Sequence, residues 1–191
     1  MKSRKALLFI FEGYCEFEIA TAISMLRDTH SIKTCALENR IYTSEAGLRT
    51  EPDFILEEVN AMEYDLIIIP GGDLAPIANA QELFHLVESF AKIGKIVAAI
   101  CSGPFVLAKA GLLKEATYTA TLSKEQRKFL GGFNEDSYIY SNVVTAGNIV
   151  TAQGHAFVEF GIEVNKLMRE VSKDSITFYS GEGNRLMEKD L

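Results

Sequence analysis

The chain has 191 residues, 48% of them hydrophobic and 24% charged, with a formal net charge of −7. That length suits one domain, 1–191, with a sizeable core, and the acidic balance argues against a nucleic-acid surface or a polybasic membrane patch. No apolar run reaches the roughly 18 residues of a membrane-spanning helix.

The elements follow in chain order. Lys5 to Phe11 (KALLFIF) is a continuous apolar run, which marks a strand buried on both faces. The basic start and apolar run superficially suggest a signal peptide. The acidic EGYCEFE that follows favours a first strand instead. Gly13 breaks the run, and Glu16 to Arg27 then carries Ile19, Ile23 and Leu26 at helical spacing, with Phe17 and Ala20 alongside. Ser31 to Leu37 reads as a second strand, Arg40 to Thr50 as a hairpin or edge excursion, and Asp53 to Met62 as mixed. Leu66 to Pro70 (LIIIP) is a buried strand closed by Gly71-Gly72. Gln81 to Ile93 is an amphipathic helix with Leu83, Leu86, Val87 and Phe90 inward.

Ile96 to Ile100 is a buried strand that runs into Cys101, followed by Ser102, Gly103, Pro104 and a helical apolar run ending near Gly111. Ala116 to Thr121 suits a strand and Lys124 to Leu130 a short helix. Tyr138 to Val144 and Asn148 to Thr151 suit two strands around Ala146-Gly147. His155 to Val171 reads as a long helix with Phe157, Phe160, Val164 and Leu167 or Met168 inward, and the tail from Ser172 as a last helix. Strands alternating with helices predict a mostly parallel sheet with helices on both faces. In such folds ligands bind beyond the carboxyl ends of the strands. The loops Glu12 to Glu18, Gly71 to Ala75 and Cys101 to Pro104 should therefore converge.

Cys101 is the strongest chemical signal. It sits at a strand-to-helix apex, the place of nucleophiles on α/β sheets. A thiol facing a helix N-terminus is expected to have its pKa lowered to about 3.5–7.5. Gly71-Gly72 would let a backbone N–H point over Cys101, forming an oxyanion hole with the N–H of Ser102. Glu18, one turn into the first helix, would hydrogen-bond the thiol and hold its proton if buried.

The histidines are His30, His85 and His155. His30 precedes the second strand at the wrong end of the sheet, and His85 falls on the exposed face of its helix. His155, at the start of a helix, is the candidate base. Cys15 could act as a resolving thiol. The three cysteines are odd in number and widely spaced, so they suggest neither a disulfide framework nor a metal site. They point to a reducing, cytoplasmic compartment, and no cofactor or metal is expected.

Four segments, KALLFIFEGYCEFEIATA, DLIIIPGG, AAICSGPFVLAKAGLL and NIVTAQGHAFVEFGIEV, together resemble the DJ-1/PfpI (ThiJ/PfpI) superfamily, with its class I glutamine-amidotransferase-like fold. The resemblance implies a flavodoxin-like three-layer α/β sandwich, a homodimer, and a cysteine in a strained elbow. It implies that Cys101 is the nucleophile, that Glu18 contacts it, and that the Gly72 and Ser102 amides form the oxyanion hole. Relatives of the protease and glyoxalase kinds usually carry a histidine shortly after the elbow helix. Here Ala116 to Thr121 has none, and Ala120 occupies the place. Glutamine amidotransferases have glycine two residues before the cysteine, where this chain has Ala99, which argues against amidotransfer.

The expected function is thus a cysteine-dependent, hydrolase-like enzyme of the protease/amidase, glyoxalase or deglycase type, acting on a small carbonyl or amide substrate. The alternatives are an oxidative-stress or redox-sensing protein whose oxidant modifies Cys101, and a small-molecule-binding scaffold.

Overall fold

A computed structural model of the chain describes residues 4–188. The strands are β1 (Lys5–Phe9), β2 (Ser31–Ala36), β3 (Tyr42–Thr43), β4 (Arg49–Thr50), β5 (Phe54–Ile55), β6 (Leu66–Ile69), β7 (Ile96–Ile100), β8 (Val143–Ala146) and β9 (Ile149–Ala152). The helices are α1 (Phe17–Leu26), α2 (Gln81–Lys92), α3 (Pro104–Lys109), α4 (Lys124–Leu130), α5 (Phe157–Met168), α6 (Lys173–Tyr179) and α7 (Glu182–Met187). Seven strands form one sheet in the order β5-β2-β1-β6-β7-β9-β8, while β3 and β4 make a separate antiparallel hairpin. Every pairing in the large sheet is parallel except β8 with β9.

The central strands β6 and β7 are apolar because both their faces are covered. All four residues of β6 are fully buried, as are Val97 to Ile100 of β7. From β1 the chain crosses through α1 to β2 on one side, and from β6 through α2 to β7 on the other. Right-handed crossovers in opposite directions place their helices on opposite faces. Accordingly α1 packs on α5, and α2 on α3. The boundary between β1 and β6 is the point where the winding reverses, and ligand crevices form outside the strand ends at such points.

Several expected elements are shifted, each for a packing reason. The Ala116–Thr121 segment forms no ladder, only a single bridge between Tyr118 and Tyr138. Both edges of β9 are already taken by β7 and β8. The segment's backbone instead binds side chains and loops: Thr119 N donates to Thr151 Oγ1 at 3.0 Å and Thr121 N to Cys101 O at 2.8 Å. The predicted Tyr138–Val144 strand begins only at Val143, where pairing with Ala152 starts. The long helix begins at Phe157 after a 3-10 turn over Gly154–Ala156, and near its end Met168 is half-buried while Leu167 is exposed. The tail forms two short helices.

The buried face of α1 also differs from the expected one. Glu18, Ile19, Thr21, Ala22, Met25 and Leu26 are buried, while Phe17 and Ala20 are exposed. Gly161 of α5 explains the rotation. A Cβ there would lie 2.8 Å from both Ala22 N and Thr21 Cγ2, so the two helices meet through bare backbone. Asn165 secures the contact by donating to Ala22 O at 3.3 Å and to Gly161 O at 2.9 Å.

Candidate active site

Cys101 lies at the end of β7 with φ 62°, the one non-glycine residue with positive φ among the described residues. This left-handed conformation costs an L-residue about 1–2 kcal/mol. It is held from both sides, because Cys101 N donates to Ala152 O at 2.9 Å and Cys101 O accepts from Thr121 N at 2.8 Å. The turn that follows requires glycine at 103, where a Cβ would lie 2.7 Å from Ile69 O and 2.8 Å from both Ile100 O and Pro70 O.

The sulfur occupies a slot between two more glycines. A Cβ on Gly71 would lie 3.0 Å from Cys101 Sγ and 2.7 Å from Glu18 Oε2. A Cβ on Gly154 would lie 3.0 Å from Cys101 Sγ and 3.0 Å from Glu18 Oε1. Glu18 reaches this slot because it belongs to the buried stripe of α1. It is 1% exposed, accepts a hydrogen bond from Gly71 N at 2.8 Å, and is hydrogen-bonded to Cys101. Burial holds its carboxyl above the usual carboxylate range, with the Glu45 charge adding to the effect, while the hydrogen bonds from Cys101 and Gly71 pull the other way.

The expected lowering of the Cys101 pKa is overturned. Burial first, then the charge and hydrogen bond of Glu18, pushes the thiol up to about 12. The Ser102 amide and the Thr121 hydroxyl oppose this and do not prevail. Two other amides of the turn are bonded locally: Gly103 N donates to Ile100 O at 2.8 Å and Phe105 N to Ser102 O at 3.0 Å. Burial thus disfavours the charged form of both groups.

The two expected oxyanion-hole residues both border the site, with different roles. The Ser102 amide faces the sulfur. The Gly72 amide donates to Ser102 Oγ at 3.0 Å, and that hydroxyl donates back to Gly72 O at 3.0 Å. An incoming oxygen meets the Gly72 amide only when the Ser102 side chain turns away.

His155 is not among the residues lining the cavity over Cys101. Its exposed ring lies 3.2 Å from Asn142 Oδ1 and borders a groove with Tyr138 and Tyr140, rather than the cavity over Cys101. His30 is buried near Asp65 at the start of β2, and His85 is exposed on α2. Ala120, at the place of the relatives' histidine, is buried and offers only its carbonyl, which accepts from Gln153 Nε2 at 3.0 Å.

The polar group on that side is Thr121, which sequence reading passed over. Its Oγ1 accepts from Gly154 N at 2.8 Å and donates to Gln153 Oε1 at 3.0 Å, and it is also within hydrogen-bonding reach of Cys101. Buried Gln153 is further fixed by donating to Thr119 Oγ1 at 2.7 Å. Cys15 lies on the other flank: its N donates to Gly71 O at 2.9 Å and its Sγ donates to Glu45 Oε2 at 2.8 Å. Burial, then the Glu45 hydrogen bond, pushes this thiol pKa far upward.

A winding reversal, a cysteine in a left-handed elbow and a buried glutamic acid beside it define an α/β protein of the nucleophile-elbow kind. The chain belongs to the DJ-1/PfpI family, whose model matches residues 4–167. It is 29% identical over 186 residues to the uncharacterized protease YoaZ of Bacillus subtilis, covering 92% of this chain and 89% of that one. It is 31% identical over 120 residues to the glutathione-independent glyoxalase DJR-1.2 of Caenorhabditis elegans, covering 62% of each chain. The thiJ/pfpI family protein of Bacillus anthracis superposes with a TM-score of 0.84 at 29% identity, covering 94% of this chain and 90% of that structure. No helix among the described residues is long and apolar enough to cross a membrane.

Proposed function

We propose that the protein is a Cys101-dependent enzyme acting on small carbonyl compounds, in the manner of a glyoxalase. The observation that carries this is the Glu18–Cys101 pair, set beside a cavity of about 670 Å³ that Cys101 itself lines. Sγ adds to an aldehyde carbon, the Glu18 proton passes to the carbonyl oxygen, and the thiol proton replaces it on Glu18. Protons and charge balance, so a thiol with a raised pKa can add without first forming a free thiolate. The same carboxyl can then move a proton between the two carbons of an α-oxoaldehyde. One relative in the family bears the name glyoxalase.

The test is Glu18→Gln, assayed by loss of a small α-oxoaldehyde. Gln keeps the acceptor for Gly71 N but carries no transferable proton, so turnover should fall by about 10²–10⁴-fold. Stability moves the other way. Because Glu18 holds its proton more tightly when folded, it weakens the fold progressively as pH rises above the unfolded carboxyl value of about 4.3. The variant should therefore melt above the parent at neutral pH and level with it near pH 4. Unchanged turnover in a folded Glu18→Gln protein refutes the reading.

A second reading is supported by two groups around the sulfur, the Ser102 amide and the Glu18 carboxyl. A Cys101 sulfinate would accept from the amide and, when Glu18 is protonated, from its carboxyl. Two equivalents of peroxide add two oxygens to the sulfur and leave as two alcohols or waters. Mild peroxide should then yield a Cys101 peptide heavier by two oxygens, with Glu18→Gln over-oxidised further. A Cys101 peptide unchanged in mass refutes this reading.

A further inference from the structure

The cavity over Cys101, at about 670 Å³, falls within the roughly 300–1,000 Å³ of sites that take drug-sized ligands. A two- or three-carbon carbonyl compound would leave most of it to water. Its lining is chemically uneven. Leu74 enters from the loop after β6, Leu122 precedes α4, and Phe129 and Leu130 close α4. Glu45 and Asp73 also line it, and none of the described lining residues is basic.

Helix α4 shows why this apolar wall faces the cavity. It buries an arginine and exposes a phenylalanine, the reverse of ordinary burial. Arg127 is 5% exposed and Phe129 90%. Arg127 forms a bidentate pair with Glu135 at 2.9 and 2.8 Å, donates to Leu122 O at 2.7 Å and stacks 3.7 Å from the Tyr138 ring centroid. Such planar bidentate anchoring fixes orientation as well as energy. The capping box of Ser123 and Gln126 fixes the start of the same helix. Held at both points, α4 presents Phe129 at the cavity, uncovered by any packing within the fold. With Leu74, Leu122 and Leu130, Phe129 gives the cavity a continuous apolar side.

We propose that the compound recognised above Cys101 carries an apolar, preferably aromatic, arm that lies along Leu122, Phe129 and Leu130, and that it is neutral or cationic rather than anionic. This rests on Cys101 being the group that meets the substrate. It adds that carboxylated and phosphorylated carbonyl compounds are disfavoured: they would bring negative charge beside Glu45 and Asp73, with no basic residue among the described lining residues to receive it. Glu45 is held in place by the Cys15 thiol, and Asp73 by the Ala75 amide, which donates to Oδ1 at 3.0 Å.

The test uses alkylation, which needs only the thiol and the cavity. The full chain is treated at one alkaline pH with iodoacetamide, N-benzyliodoacetamide or iodoacetate. In each case the S–C bond forms, iodide leaves and the thiol proton goes to buffer. Rates are read on the Cys101 peptide by mass spectrometry and divided by the rate of the same reagent with glutathione. The benzyl reagent should be favoured over iodoacetamide by about tenfold, and iodoacetate disfavoured by a similar factor. Phe129→Ala, a surface change that leaves folding intact, should remove most of the benzyl preference without changing the iodoacetate discrimination. Glu45→Gln with Asp73→Asn should do the opposite. Equal normalised rates for the three reagents overturn the proposal, as does a benzyl preference that persists in Phe129→Ala. Selectivity without carbonyl turnover overturns the catalytic reading and leaves this one standing. Turnover without selectivity does the reverse.

Discussion

Cys101→Ala and Cys101→Gly are both expected to lose α-oxoaldehyde turnover down to the uncatalysed rate, although Cys15 is a second thiol in reach of Glu18. Cys15 also lines the cavity, but its thiol is committed to Glu45 at 2.8 Å and its pKa is raised by burial. The two variants should nevertheless differ in stability. At φ 62° the side chain of residue 101 strains the backbone, and removing Cβ relieves about 1–2 kcal/mol. Cys101→Gly should melt above Cys101→Ala by about 2–4 °C per kcal/mol in a chain of this size. Inactive, well-folded proteins ordered this way would show that the strain serves chemistry rather than the fold. Turnover surviving in either variant would remove Cys101 from the mechanism. The reverse order of melting would remove the strain argument.

Gly72→Ala should be the most damaging single-methyl addition near the site. Its φ is +139°, a region essentially reserved for glycine, and a Cβ would lie 2.3 Å from Gly13 O and 2.8 Å from Tyr14 Cα. Both obstacles are backbone, and the bridge between Tyr14 and Gly72 holds them together. Strain plus collision should cost about 3 kcal/mol or more, lowering the melting temperature by about 10 °C. Gly147→Ala is the control. Its φ is +61°, but a Cβ there meets nothing within 4 Å, so it should lose only the strain of about 1 kcal/mol. Equal losses in thermal melts of the two would mean that conformation alone, not the close approach of the Gly13 loop, demands glycine at 72.

The strand-turn-helix at Cys101 could be read from the sequence because its signals are local. A five-residue apolar run, two small residues and a proline specify a buried strand, a sharp turn and a helix start without reference to the rest of the chain. Glu18 was reachable for a weaker reason. It shares helical spacing with Ala22 and Met25, yet Phe17 and Ala20 competed for the inward face. Only Gly161, from a helix more than a hundred residues later, decides which way α1 turns. That Ala116–Thr121 joins no ladder was not legible, because residue preferences within the segment say nothing about whether a sheet edge is free.

The protonation of the thiol depended on tertiary structure most of all. A cysteine at a helix start suggests a lowered pKa, but burial and the neighbouring Glu18 outweigh the Ser102 amide that lowers it. Likewise the partner of the His155 ring, Asn142, could not be read from position along the chain. Thr121 and Gln153 showed no signal by spacing, since they meet across segments 32 residues apart. By itself, the sequence determined the parallel sheet, the elbow and the residue at its apex, because hydrophobic period and turn chemistry act over a few neighbours. Which groups surround the sulfur, and whether it carries a proton, was decided only in the folded chain, because burial and charge at one atom sum over every element packed against it.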